Sequence, residues 1–397
     1  GDYVPFGAVG APAVAVFTTD FTQKSQELQL LGTTENWDFV TGLYYYQDEA
    51  EQDATQSELI GVVGQTDLTS TNNESAAIFA QATWTPNLMS QRWHFTLGGR
   101  YSWDKREAER NNQAALSSFI GSYEKEFRNF NPSFTVAFDI NDHSNIYGKV
   151  VSGYKSGGTS TRSANADLFA QGFDEEDILS YELGYKGDFW NRRARFNAAI
   201  FRMNIDGLQT SIQTDPISPG GRDFLPVDGN TISGAEADLN LLLTQGLSLA
   251  LGYGYLDTQL GEDSVTTPDG RSYELIDHMP FAPEHSYTAA LDYQLPIANG
   301  VWGFNLNYGY QSEVDTSINV QENIAIDAYG LWGAAISWSD IGIGKIPGSF
   351  RMLLWGKNLT DEEYGIIRTL AWSNFGATDV QTFGDPRTVG LTLTYRY

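Results

Sequence analysis

The chain's four imidazoles are His94, His143, His278 and His285, and it has no cysteine. Without cysteine there is no thiolate nucleophile, no disulfide scaffold and no Cys-ligated zinc or iron–sulfur site. His278 and His285, with Asp277 and Glu284, share one short stretch that resembles a metal-binding set. No helix fixes the spacing of those donors, so solvated loop residues are the better reading. The run Gly342-Ile-Gly-Lys-Ile-Pro-Gly348 has the glycines of a phosphate loop but no following helix, and it reads as a turn. Asp174-Glu-Glu-Asp177 lacks the spaced ligands and glycine of a calcium loop. Asn358-Leu-Thr360 matches a glycosylation acceptor by pattern alone. No catalytic residue, metal ligand or cofactor is assigned, and the chain is not read as an enzyme. Binding chemistry is better represented. Arg222, Tyr273, Arg368, Trp372 and Phe375 fall in long polar connections. Their guanidinium and ring groups suit an aromatic or anionic chelate, held by stacking and charge-assisted hydrogen bonds.

The bulk composition narrows the partners. Among 397 residues, 24 Lys and Arg face 50 Asp and Glu, for a net charge of −26. Nucleic acid is excluded as a partner, because its binding needs cations that neutralise phosphates. At 41% hydrophobic and 13% aromatic residues the chain is too apolar for disorder. Mean hydropathy is −0.32, and no run of about 18 apolar residues offers a spanning helix.

Elements of period two must position the candidate residues. In Trp93–Asp104 the odd positions are Trp, Phe, Leu, Gly, Tyr and Trp, while the even ones are His, Thr, Gly, Arg, Ser and Asp. Alternation of this kind gives a strand one apolar and one polar face. The same pattern predicts fifteen strands, near 22–31, 37–48, 76–86, 93–105, 128–141, 145–155, 178–188, 193–206, 231–243, 247–257, 286–295, 301–311, 325–339, 349–359 and 388–397. No helix of any length is expected. The strands are as long as a bilayer requires, and their polar faces carry Arg100, Asp104, Glu182, Lys186, Glu236 and Asp238. A dry sandwich core would not tolerate such charges, whereas the wet lumen of a barrel does. Aromatic residues gather at strand ends, where membrane interfaces lie.

Connections alternate short and long, with long ones near 49–75, 106–127, 156–177, 207–230, 258–285, 312–324 and 360–387. Bacterial outer-membrane barrels have short periplasmic turns and long outer loops. The last strand therefore descends to the periplasm, and so does the first. About fifteen strands beginning outside cannot close alone, so an N-terminal part is expected to be missing from this sequence. The absence of an initiating Met and of a basic leader region fits that expectation.

Several segments, in order, resemble TonB-dependent outer-membrane receptors. They are Tyr147–Gly158 (YGKVVSGYKSGG), Tyr181–Gln209, Asn230–Asp238 (NTISGAEAD), Phe281–His285 (FAPEH), Trp355–Tyr364 (WGKNLTDEEY) and the terminal Asp385–Tyr397. The resemblance implies an all-β, transmembrane antiparallel barrel, of which residues 1–397 are the C-terminal fifteen of 22 strands. It also implies that the plug domain, the TonB-contacting segment and the first seven strands are not present here. Active import of a scarce large solute, foremost a ferric siderophore, is the implied activity. The implied partners are the TonB–ExbB–ExbD complex through the missing part, a ferric chelate, and outer-membrane lipid and lipopolysaccharide. A passive porin and a barrel enzyme are the alternatives.

Overall fold

The computed structural model describes residues 14–57, 65–113, 118–214, 221–342, 344, 347–373 and 376–397. Its first five strands are long: β1 (Val14–Thr33), β2 (Trp37–Ser57), β3 (Gln65–Trp84), β4 (Trp93–Gln113) and β5 (Phe119–Asn141). Shorter ones follow, β6 (Ser144–Lys155), β7 (Glu176–Phe189) and β8 (Ala194–Asp206). A side hairpin of β9 (Leu208–Gln213) and β10 (Arg222–Val227) precedes β11 (Asn230–Leu242) and β12 (Leu247–Gln259). A second side hairpin, β13 (Ser264–Thr266) and β14 (Ser272–Glu274), precedes β15 (His285–Ile297), β16 (Gly300–Gln311), β17 (Tyr329–Ile341) and β18 (Ser349–Lys357). The third, β19 (Gly365–Ser373) and β20 (Gly376–Phe383), leads into β21 (Thr388–Arg396). Leaving the side hairpins aside, fifteen strands form one antiparallel sheet in sequence order. Among the described residues no ladder joins β1 to β21.

The register turns the period-two pattern into horizontal bands. At the short-turn end Trp37 stacks on Trp84 with centroids 6.1 Å apart, and Trp84, Phe95, Trp93 and Phe138 continue the row. Above it, Leu28, Leu43, Ile78, Tyr101 and Phe130 occupy one cross-strand row. Tyr45 and Trp103 close the band on β2 and β4. On the other flank Tyr253–Tyr287, Tyr287–Tyr310 and Tyr308–Trp332 pair at 5.2, 5.3 and 4.6 Å. Eight residues separate Trp37 from Tyr45, about 26 Å of strand at ~3.3 Å each. Tilt reduces that to roughly 20 Å, close to the ~25 Å apolar belt of an outer-membrane barrel. The greasy face is exposed, with Leu97 at 65% and Ile200 at 58%. Among the described residues no second protein layer covers it, as lipid-facing surface requires.

Two expectations need correction. The stretches 49–75 and 106–127 were expected as loops, yet β2 to β5 continue through most of them. Above Tyr45 and Trp103 neither face of these strands meets lipid, so hydrophobic alternation disappears while backbone pairing persists. Short helices also exist: α1 (Ala166–Gln171) and a 3₁₀ turn at Leu88–Gln91. Asn165 caps α1, its Oδ1 accepting from the amides of Asp167 and Leu168, and Gly172 ends it at φ +65°.

Candidate functional site

The long-loop end is knitted together by arginines that bond to backbone carbonyls. Arg110 is 5% exposed and forms a bidentate pair with Asp67, with Nη1 donating to the Ser163 carbonyl. That bond pins the 156–175 connection to the inner face of the tall strands. Phe169 of α1 completes the attachment, fully buried against Ala108, Phe119 and Tyr123. Among the described residues the Tyr123 hydroxyl has no partner there, and burial pushes it up to about 12.

Arg222 extends the network. Its Nη2 donates to the Ser211 carbonyl at 2.8 Å and to Glu322 at 3.1 Å, while its own amide donates to the Arg162 carbonyl. Arg271 Nη1 and Tyr273 Oη both donate to the Thr214 carbonyl. Beneath them Ile212, Leu225, Val227, Val265, Leu275 and Ile318 form a small apolar core that joins three connections. Arg271 also holds the Asp269 carboxyl down to about 2. Arg368 pairs with Asp379 at 2.7 Å and donates to the Ala325 carbonyl at 2.9 Å.

Arg222, Tyr273 and Arg368, expected as ligand contacts, all take part in bonds between loops. Trp372 lies on β19, but its side chain is outside the described residues, and Phe375 is outside them altogether. His278 and His285 are not gathered around one point. His278 sits between Asp277 and Asp315, whereas His285 stacks among Tyr253, Tyr255 and Tyr287. The acidic run is engaged too. Asp174 pairs with Lys125, Glu176 accepts from the Gln209 amide, and Asp177 accepts from Asn129. Asn358 is buried, and its amide nitrogen donates to the carbonyls of Glu362 and Asp385, which leaves nothing free to carry a glycan.

A different group lines the wet face just below the loops. Asp104 shares a row with Ser75 and Tyr46, on the opposite face from Trp103. It accepts from Ser75 Oγ, Tyr154 Oη and Arg106 Nη2, and is only 9% exposed. Arg106 Nε also donates to Ser156 Oγ at 3.0 Å. One turn of the pleat lower, Arg100 lies over the rings of Tyr44 and Phe79, at 5.1 and 5.9 Å from their centroids. Arg100, Asp104, Arg106, Tyr154 and Lys155, with Tyr44 and Tyr46, line an open hollow of about 400 Å³. A larger hollow of about 710 Å³ faces outward on the tall strands, lined by Asp20, Glu49, Glu51, Glu107, Glu109 and Glu124 without any Lys or Arg. Lys105, just outside the lining, pairs with two of the six, Glu107 at 2.6 Å and Glu124 at 2.9 Å, and the other four leave that surface solvated rather than organised as a site.

A family profile described as "TonB dependent receptor-like, beta-barrel" matches residues 2–359. The chain belongs to the TonB-dependent receptor β-barrel family. Barrels of this family sit in the bacterial outer membrane, which makes the long-loop end the outer face. Among its relatives is the ferric-pyoverdine M114 receptor PbuA of a Pseudomonas strain, 26% identical over 75% of this chain and 33% of its own length. Another is the probable TonB-dependent siderophore receptor PiuA of Acinetobacter baumannii, 26% identical over 52% of this chain and 28% of its own. The chain thus spans about a third of the length of the curated relatives it matches. The fold is similar to the crystal structure of the ferric yersiniabactin uptake receptor FyuA from Yersinia pestis. There the TM-score is 0.80 at 18% identity, covering 100% of this chain and 56% of that one.

Proposed function

We propose that this chain is most of the barrel wall of a receptor that imports a ferric siderophore across the outer membrane. The names of its relatives support that reading, and so does one feature of the wall: a cavity in which cations, phenols and hydroxyls converge below braced outer loops. The outer loops would admit the chelate, and the lumenal groups would hold it in place. No covalent step is needed, and no residue is given a catalytic role. Energy would come from the TonB–ExbB–ExbD complex through a segment N-terminal to these strands. Lipid and lipopolysaccharide would surround the apolar belt.

Uptake of radiolabelled iron under iron limitation tests this, comparing cells with and without the gene. Import that needs both the gene and an intact TonB system is expected. Uptake unaffected by TonB loss, together with an open ohmic pore in planar bilayers, would establish a passive channel instead.

A further inference from the structure

We propose that the cargo is anionic, and that Arg100 and Lys155 are the wall residues that select its charge. The inference rests on the import reading above and specifies the substrate class for that same cavity.

Charge balance is the starting point. The molecule carries −26 overall, so its far field repels anions. The cavity reverses that sign locally, since Arg100, Arg106 and Lys155 line it against a single carboxylate, Asp104. Asp104 is buried and already engaged by Arg106, Ser75 and Tyr154. Its charge therefore compensates Arg106 and leaves the other two cations over. Among the described residues neither Arg100 nor Lys155 has a carboxylate partner.

Arg100 is also oriented. Its Nε donates to Ser102 Oγ at 3.2 Å, and the Tyr44 and Phe79 rings hold its plane from the side. Such packing costs a guanidinium little of its binding capacity and fixes the direction of its fork. The Nη donors that remain match a carboxylate or phenolate edge, while Tyr44 and Tyr46 offer rings beside it. A third cation marks the approach from outside. Arg162 lies on the connection held by Arg110 and Arg222, has no carboxylate partner among the described residues, and follows the same sign. Burial and those two neighbouring guanidinium groups lower its pKa, as expected for a cation held without a counter-ion.

The test uses the full-length receptor in detergent, with binding read by quenching of tryptophan fluorescence. Four iron(III) complexes serve as probes: ferric citrate, an anionic tricatecholate, a neutral trihydroxamate and the cationic ferrioxamine B. An anionic complex should bind best, with affinity falling as salt rises. Arg100→Gln and Lys155→Gln should each weaken it about ten- to a hundredfold, as loss of a charge-assisted bond does. Arg100→Lys should restore part of the loss, which separates charge from folding. Tighter binding of the neutral or cationic complex overturns the proposal. So does equal loss for all probes in Arg100→Gln, which would make Arg100 a support for protein packed in the lumen. If no iron complex binds and no iron enters cells, the import reading itself fails.

Discussion

Arg222 donates to Glu322 at 3.1 Å, joining two outer connections that lie 100 residues apart in sequence. The same carboxylate accepts from the Gln213 amide and from Asn319 Nδ2, so it ties both strands of the β9–β10 hairpin to its own connection. Its side chain is 11% exposed, and removal of Arg222 would strand a mostly buried charge. Arg222→Ala should therefore cost about 1–3 kcal/mol of local stability. Amide exchange should accelerate in β9 and β10 and stay unchanged in β11 and β12. Unchanged protection of the hairpin would mean that the apolar core beneath it suffices.

A second prediction concerns pH. Burial by itself would lower the His278 imidazole, but its hydrogen bonds to Asp277 and Asp315 outweigh that and raise it above the ordinary value of about 6.5. A raised folded-state pKa gives stability that is complete below the ordinary value and is lost as pH climbs through the raised one. The junction where Ile276 donates to the Ile318 carbonyl, and Val320 to that of Glu274, should thus loosen on the alkaline side. Exchange of those two amides, corrected for intrinsic rate, should show a step that His278→Gln removes. A step that persists in the variant would assign it to another group.

Phe169 supplies a third. Its side chain is fully buried on the tall strands, and Phe169→Ala deletes the apolar anchor of the 156–175 connection. The expected local cost is about 3–5 kcal/mol. Protease sensitivity should appear between Gly157 and Gly172 while the heat-modifiable mobility of the barrel is retained. Resistance equal to the parent would show that Arg110 alone holds the segment.

The height of the membrane can be checked with two arginines. Leu97 faces outward inside the apolar belt, and Ile120 faces outward on β5 above it, at 65% and 81% exposure. Leu97→Arg should cost up to about 2–4 kcal/mol in lipid vesicles, and Ile120→Arg close to nothing. Urea unfolding in vesicles reads the difference. Equal costs would place the belt elsewhere.

How much of this was legible depends on where a strand runs. Between the girdles every strand separates lipid from water, so Trp93–Asp104 declares itself by alternation and all fifteen sheet strands were placed within a few residues at the short-turn end. From Asp104 to Gln113 the same strand reads DKREAERNNQ, and no apolar period remains because neither face meets lipid. The side hairpins were hidden for a related reason, since β13 has three residues and packs through the single side chain of Val265. Arg100 and Asp104 were recognisable as residues of the wet face. Their convergence with Tyr154 and Lys155 was not, because those come from another strand and no local spacing encodes that approach. Loop arginines show the same limit: composition marks them as donors, and only the fold reveals which loop carbonyls they also bond.

The unequal strand heights separate two evolutionary constraints. Below Tyr45 and Trp103, each outward position must satisfy hydrocarbon, and each inward one must suit whatever fills the lumen. On the crest of β1 to β5 the outward carboxylates answer to water and to near neighbours such as Lys105, never to hydrocarbon, so drift there leaves the span intact. An epitope exchanged on that crest should alter what antibodies or phage meet at the cell surface, with the lumenal face beneath it undisturbed.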